Sequence, residues 1–303
     1  MTALVVACAV LGLLVGSFLN VVVHRVPAGE SVVSPPSACP RCGHRLRARD
    51  NVPVLSWVLL RGRCRDCRAP ISPRYPLLEL GTAVLLALVA LQVGWSPALP
   101  AFLYLGCVAV ALTAIDLEHH RLPDAIVLPS YVVGTVLLVG AAALQADWWA
   151  LARLGIGLAV MWVAYFGLAL AKPGGMGFGD VKLAGLLGMH LGYLGWAELA
   201  VGSFAAFLVG GLVGVVLLVT RRAGRKSAIP FGPFMLLGAA IGVVAVCCAK
   251  AGAATAKKQS AAKARKRSRD IVSWKVERVP GGAVLCSKPV PTAQRQRHGR
   301  RWV

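Results

Sequence analysis

From Thr2 to Val23 the chain passes through apolar and small residues without a single charge, and seven further predominantly apolar runs follow, none with more than one charged residue. They are Leu77–Val93, Ala98–Ile115, Ala125–Leu144, Trp149–Ala171, Val181–Leu194, Ala197–Thr220 and Ile229–Ala249. An apolar stretch of about 20 residues covers the ~30 Å hydrocarbon core as a helix, which alone satisfies its own backbone polar groups there. With 57% hydrophobic residues and only 12 acidic ones in 303, the chain is expected to be an all-α polytopic membrane protein of about eight transmembrane helices. Val181–Leu194 is short for a span and is expected to be a tilted or partial helix. The first run has no basic residue before it, too long an apolar core and no Ala-x-Ala site, so it is expected to be an uncleaved first helix rather than a signal peptide.

Residues 24–76 interrupt this pattern. Between His24 and Arg74 there are ten arginines against Glu30, Asp50 and Asp66, a bias that assigns the segment to the cytoplasm and the N-terminus to the outside. Within it lie Cys39-Pro-Arg-Cys42 and Cys64-Arg-Asp-Cys67. Two C-x-x-C pairs can supply four thiolates to one ion, closing a tetrahedral shell, so a structural four-cysteine zinc site in a small zinc-ribbon-like insert is expected. Disulfides are the competing reading, disfavoured on a reducing face. His44 is either a substitute ligand or a solvated neighbour. Cys8, Cys107, Cys247 and Cys248 lie in apolar runs and read as small packing residues.

Counting crossings from an outside start brings two acidic residues to one membrane face. Asp116 follows Ile115 at the cytoplasmic end of the third span. Asp180 ends the glycine-rich stretch Gly174-Gly175-Met176-Gly177-Phe178-Gly179-Asp180-Val181-Lys182-Leu183. A carboxylate close to hydrocarbon is costly and is usually kept for proton or ion transfer or for bond cleavage. Gly177 and Gly179 leave the backbone free to approach a peptide. The plain alternative is that Asp180 only caps the helix it precedes. Two carboxylates a few ångströms apart share a proton, so that one can polarise a carbonyl while the other takes a proton from water.

Neighbouring ionisable groups carry two readings each. Lys182 either tunes or pairs with the aspartates, or it snorkels to the interface. Glu79 is interfacial or functional. Asp124, after Pro123, reads as a cap for the next helix. His119 and His120 lack a third metal ligand at helical spacing and read as solvated or lipid-facing.

The chain resembles the bacterial type IV prepilin peptidases, membrane aspartyl proteases with a G-x-G-D motif. The likeness is carried in order by Gly16-Ser17-Phe18-Leu19-Asn20 with His24-Arg25, the paired cysteines, and Asp50-Asn51-Val52-Pro53-Val54-Leu55-Ser56-Trp57. It continues through Arg74-Tyr75-Pro76-Leu77-Leu78-Glu79, Ala114-Ile115-Asp116 with Leu122-Pro123-Asp124, Gly177-Phe178-Gly179-Asp180-Val181-Lys182-Leu183, and Ile229-Pro230-Phe231-Gly232-Pro233-Phe234. The resemblance implies removal of the basic leader from type IV prepilins or type II secretion pseudopilins. Asp116 and Asp180 would be the catalytic pair, supported by Gly177, Gly179 and Lys182. It implies a multi-pass protein of the bacterial inner membrane with its catalytic face cytoplasmic, in contact with lipid and requiring no nucleic acid. Many such enzymes also methylate the new N-terminus with S-adenosylmethionine, and Asn20 and Glu79 are the residues carried over for that activity or for a structural role. No nucleotide-binding fingerprint in the chain independently supports a methyl-donor site. Two other classes compete. One is a transporter using Asp116 and Asp180 for proton or ion coupling, which would show repeats or broken helices in both halves. The other is a zinc-bearing membrane scaffold.

The expected organisation is a first helix at 1–23, a zinc-binding segment with its four cysteines at 24–76, a protease core at 77–249 and a basic, disordered tail at 250–303. The tail holds 15 Lys or Arg against Asp270 and Glu277. Eight crossings put it outside, against the charge bias. It escapes the rule by its length, returns through a re-entrant last run, or is an aberrant C-terminus; its partner is left unnamed.

Overall fold

The computed structural model describes residues 1–39, 41–171, 176–221, 230–272, 275–278 and 284–287; for residues 48, 250–258, 266–272, 275–278 and 284–287 it describes the backbone alone. Gly174 and Gly175, which open the glycine-rich stretch, lie outside the described residues, as do Arg222, Arg225, Lys226 and Ile229.

Among the described residues, seven helices are long and apolar enough to cross a membrane: α1 (Thr2–Arg25), α3 (Arg74–Val93), α4 (Leu99–His119), α5 (Asp124–Gln145), α6 (Trp148–Ala171), α8 (Trp196–Val219) and Gly232–Ala249 of α9 (Gly232–Val272). A five-residue helix, α2 (Leu55–Leu59), lies in the insert. The eighth apolar run is α7 (Phe178–Leu194), 17 residues. It rises about 26 Å, just under the hydrocarbon thickness. It is also the helix that α5, α6 and α8 pack around, and every residue from Val181 to Tyr193 except Lys182 is buried.

Lipid tails are as apolar as leucine, so helices in a bilayer associate through close packing of small residues. α1 meets α3 this way: a Cβ on Gly12 would stand 2.5 Å from Ala83 Cα, and one on Gly16 2.8 Å from Glu79 Cα. α6 meets α7 through Gly157, Gly188 and Gly192, where the backbone of each helix occupies the space a side chain of the other would need. α8 and α9 cross at Gly202 and Gly242. The largest buried cluster, with Leu112, Val127, Leu138, Tyr165, Leu183 and Leu186, lies around α7.

The chain divides into two compact units, Met1–Cys247 and Cys248–Val303. The backbone of the second is helical to Val272, and β1 (Lys275–Arg278) pairs antiparallel with β2 (Val284–Ser287), Lys275 opposite Ser287. Ala, Lys, Arg and Gln dominate residues 250–268 and are all strong helix formers, so local propensity favours the helix there.

Candidate active site

Asp116 stands on the last turn of α4, one residue after the fully buried Ile115, and is itself only 4% exposed. Its Oδ2 accepts a 3.2 Å hydrogen bond from the backbone N–H of Gly232, the first residue of α9. The donor is one of the amides a helix N-terminus leaves unpaired, so the positive end of the helix dipole faces a carboxylate.

Asp180 is the third residue of α7 and is half-buried. Its Oδ2 accepts the Gly177 N–H at 3.3 Å, and Gly177 occupies the N-cap position. Helix capping is therefore real, and it leaves Asp180 Oδ1 unused by that bond. The Asp180 carboxylate lies within Coulombic reach of Asp116. Leu122, in the turn after α4, touches both arms of the site. A Cβ on Gly179 would meet its Cβ at 3.0 Å, and one on Gly232 would meet its Cδ2 at 3.4 Å. The ends of α4, α7 and α9 thus converge at one end of the bundle. Tyr165 of α6, 1% exposed, also lies within Coulombic reach of Asp180, and its hydroxyl has no hydrogen-bond partner among the described residues.

Lys182 turns elsewhere. Its Nζ donates to both oxygens of Asp124, at 2.7 and 2.8 Å, and lies 5.0 Å from the centre of the Phe178 ring. The ammonium is committed to the first turn of α5, not hydrogen-bonded to Asp116 or Asp180. Its backbone carbonyl accepts the Tyr131 hydroxyl, so α5 grips α7 through side chain and main chain together.

In the insert, the Sγ atoms of Cys39, Cys42, Cys64 and Cys67 all lie within 4.8 Å of one another, with Cys39 and Cys67 at 3.8 Å. Tetrahedral zinc at ~2.3 Å from each sulfur needs sulfurs about 3.8 Å apart, so the donor set fits that ion. The two knuckles are built alike. Cys39 N–H bonds His44 O and Cys64 N–H bonds Ala69 O; Gly43 and Arg68, each four residues after the leading cysteine, both have positive φ. A bridge closes each knuckle, Ala38 to Arg45 and Arg63 to Pro70. Arg65 clamps Asp50 through Nε and Nη2, the shortest contact 2.6 Å, and this guanidinium holds the Asp50 carboxyl below the usual carboxylate range. His44 lies beside Asp66 at 3.9 Å, outside the sulfur cluster.

Glu79 is a junction. Only 8% exposed, it accepts the Val54 N–H at 2.7 Å and a hydrogen bond from Ser17. Val54 sits at φ +59°, a conformation β-branched residues rarely adopt, so the carboxylate anchors a strained turn of the insert onto α1 and α3. Asn20 Nδ2 donates to Tyr75 O at 3.3 Å, joining α1 to the start of α3. Arg74 pairs with Glu118, and His119 lies 4.0 Å from the same carboxylate. His120 closes α4 in the left-handed region. Neither histidine joins a metal-ligand cluster among the described residues.

Tyr165 and Gly232 are the site residues that sequence reasoning left without a role. A lone tyrosine in a span carries no signal. Gly232 lies in the run Ile229-Pro230-Phe231-Gly232-Pro233-Phe234, and only the folded chain shows its approach to Asp116.

An all-helical membrane bundle with two acidic side chains brought together at one end, beside a four-thiolate insert, defines the class as a polytopic membrane protein with a buried acidic centre. The chain belongs to the type IV leader peptidase family, whose model matches residues 102–216, while the bacterial peptidase A24 N-terminal domain matches residues 10–93. A prepilin leader peptidase/N-methyltransferase of Aeromonas hydrophila is 40% identical over 253 residues, covering 74% of this chain and 85% of the relative. Proteins of the same description from Pseudomonas aeruginosa and Stutzerimonas stutzeri are 38% and 37% identical, each covering 78% of this chain and 88% of the relative. No solved structure gives a significant match.

Proposed function

We propose that this chain is an aspartyl endopeptidase that removes the basic leader from prepilin-like proteins at the cytoplasmic face of the bacterial inner membrane, with Asp116 and Asp180 as its catalytic pair. The observation that carries the reading is the convergence of the two carboxylates at one end of the bundle, Asp116 fixed by the Gly232 amide and Asp180 held at the head of α7. Like charges at close range in a weakly polarisable medium disfavour double ionisation, so the pair holds one proton between its members. The protonated member polarises the scissile carbonyl. The ionised member takes a proton from the attacking water. Because Gly232 donates to Asp116 Oδ2, that carboxyl is fixed before substrate arrives, and orientation of this kind is worth several kcal/mol of barrier.

Zinc, when bound by Cys39, Cys42, Cys64 and Cys67, supplies folding energy to the insert rather than chemistry, since four thiolates leave no open position. N-methylation of the new N-terminus by S-adenosylmethionine belongs to the same reading and rests on the relatives' description. The cleft of about 320 Å³ between α1 and the insert offers Ser17, Arg25 and Asn51, but no carboxylate for a ribose diol or an ammonium. That cleft does not fit the methyl donor. Transport and scaffold functions gain nothing from the family match.

The test is co-expression with a prepilin-like precursor. Wild type should remove the leader, while Asp116→Asn and Asp180→Asn should each leave it attached, with rates down by at least ~10³. Cleavage that persists in both variants overturns the assignment. Mass spectrometry of the processed N-terminus reads methylation in the same samples.

A further inference from the structure

α6 and α7 run antiparallel through a close glycine contact. Gly157 and Arg153 lie against Gly188 and Gly192, and Trp162 lies against Gly185. Residue 165 is as far beyond Gly157 on α6 as residue 180 is before Gly188 on α7, so Tyr165 comes level with Asp180. The adjacent ring agrees with this register, since Phe166 meets Phe178 edge-on at 6.5 Å, just before Asp180. The ring of Tyr165 itself stands 6.4 Å from that of Phe231, whose neighbour Gly232 donates to Asp116. Tyr165 therefore sits beside both arms of the acidic centre.

Its ring and its hydroxyl need separate reasons. The ring packs on Phe207 at 5.3 Å and on Phe231, which a phenylalanine would do as well. The hydroxyl belongs to a residue only 1% exposed, yet it has no hydrogen-bond partner among the described residues. A phenol withdrawn from water and left unpaired destabilises the fold. It lies within Coulombic reach of Asp180 without bonding to it, and the two carboxylates take their hydrogen bonds from the amides of Gly177 and Gly232. The phenol proton is thus left for a group that arrives with the substrate. Hydrolysis brings such a group: as water adds to a peptide carbonyl, negative charge collects on the oxygen, and a fixed donor in a dry site stabilises it. Lys182, the nearest cation along α7, is engaged by Asp124 instead.

We propose that the Tyr165 hydroxyl donates a hydrogen bond to the oxygen of the scissile peptide bond and stabilises the charge that develops there as water attacks. The proposal rests on the peptidase reading above. The water oxygen bonds to the carbonyl carbon, the π pair moves onto the carbonyl oxygen, and the water proton passes to the ionised aspartate. The phenol keeps its own proton throughout. A donor that binds the charged oxygen more strongly than the neutral carbonyl acts on kcat rather than on KM.

The experiment uses purified full-length protein and a membrane-anchored precursor that wild type cleaves, and it reads kcat, KM and the thermal midpoint. Tyr165→Phe should lower kcat about 10²-fold and leave KM within about twofold. Its midpoint should equal or exceed that of wild type, because the unpaired hydroxyl is gone. Site-specific 3-fluorotyrosine at position 165, which keeps the donor and makes it more acidic, should hold kcat within about threefold of wild type. A Tyr165→Phe kcat within about twofold of wild type, a loss confined to KM, a loss accompanied by a lower midpoint, or one that fluorotyrosine shares overturns this role for Tyr165. Each of those outcomes leaves the peptidase reading intact so long as Asp180→Asn is inactive. A wild type that leaves the precursor whole overturns both.

Discussion

The Gly232 amide donates to Asp116 Oδ2 at 3.2 Å across 116 residues of chain, tying the start of the last helix to the end of the fourth. A Cβ at position 232 would stand only 2.7 Å from the same oxygen. Gly232→Ala must therefore push the carboxylate off its donor. It should reduce cleavage about 10²-fold while the protein still accumulates in the membrane, since misplacing a reacting group by about 1 Å has that effect. Single-turnover cleavage with saturating enzyme measures it. Activity within twofold of wild type would show that the hydrogen bond does not set the geometry of Asp116.

The Lys182–Asp124 pair separates two roles for the lysine. If Lys182 serves to hold α5 against α7, Lys182→Met should lower activity less than tenfold, because pairs this exposed contribute at most about 1 kcal/mol. Asp124→Asn should match it. If the ammonium acts directly on the carboxylate pair, Lys182→Met falls to the level of Asp180→Asn while Asp124→Asn does not. Comparing the three cleavage rates decides it.

Gly188 lies where α7 meets α6 with no room for a side chain. Gly188→Val is expected to force the two backbones apart at a cost of about 1–3 kcal/mol. The thermal midpoint in detergent should fall by several degrees. Gly155→Val is the control, because a Cβ there meets nothing within 4 Å. Equal midpoints for the two variants would contradict the packing described for α6 and α7.

Each knuckle contributes half of the sulfur shell, so Cys42→Ser and Cys67→Ser should each lower bound zinc well below about one per chain, as measured by elemental analysis of purified protein. Trypsin should then cut among the arginines of residues 41–68 much faster than in wild type. Zinc retained at full occupancy in both variants would mean that the four cysteines do not form one site.

What the sequence made legible follows from which forces are local. Apolar length is read residue by residue, so the eight runs correspond to seven long helices and α7. Thiolate spacing within each C-x-x-C is also local, and it announced a cluster that the folded insert then closes. Crossing parity sufficed to bring Asp116 and Asp180 to one end. The partners of the charged residues were less accessible. The sequence leaves Lys182 either beside Asp116 and Asp180 or snorkelling to the interface, and gives no sign of Asp124, which it reaches because helical geometry turns its side chain toward α5. Glu79 gave no sign that it would hold Val54, since that contact depends on how the insert folds back over α1. The small residues that set the helix crossings, Gly157 and Gly192 among them, look no different in sequence from Gly155 or Gly167, which meet nothing.

Leu122 touches both Gly179 and Gly232, and Gly232 holds Asp116, so the acidic centre is assembled from pieces that leave the ribosome at very different times. A nascent chain that has inserted as far as Val219 already carries both aspartates but still lacks the amide that orients one of them. With Asp116 and Asp180 as the catalytic pair, cleavage is expected to reach its full rate only after α9 has entered the bilayer and brought Gly232 to Asp116.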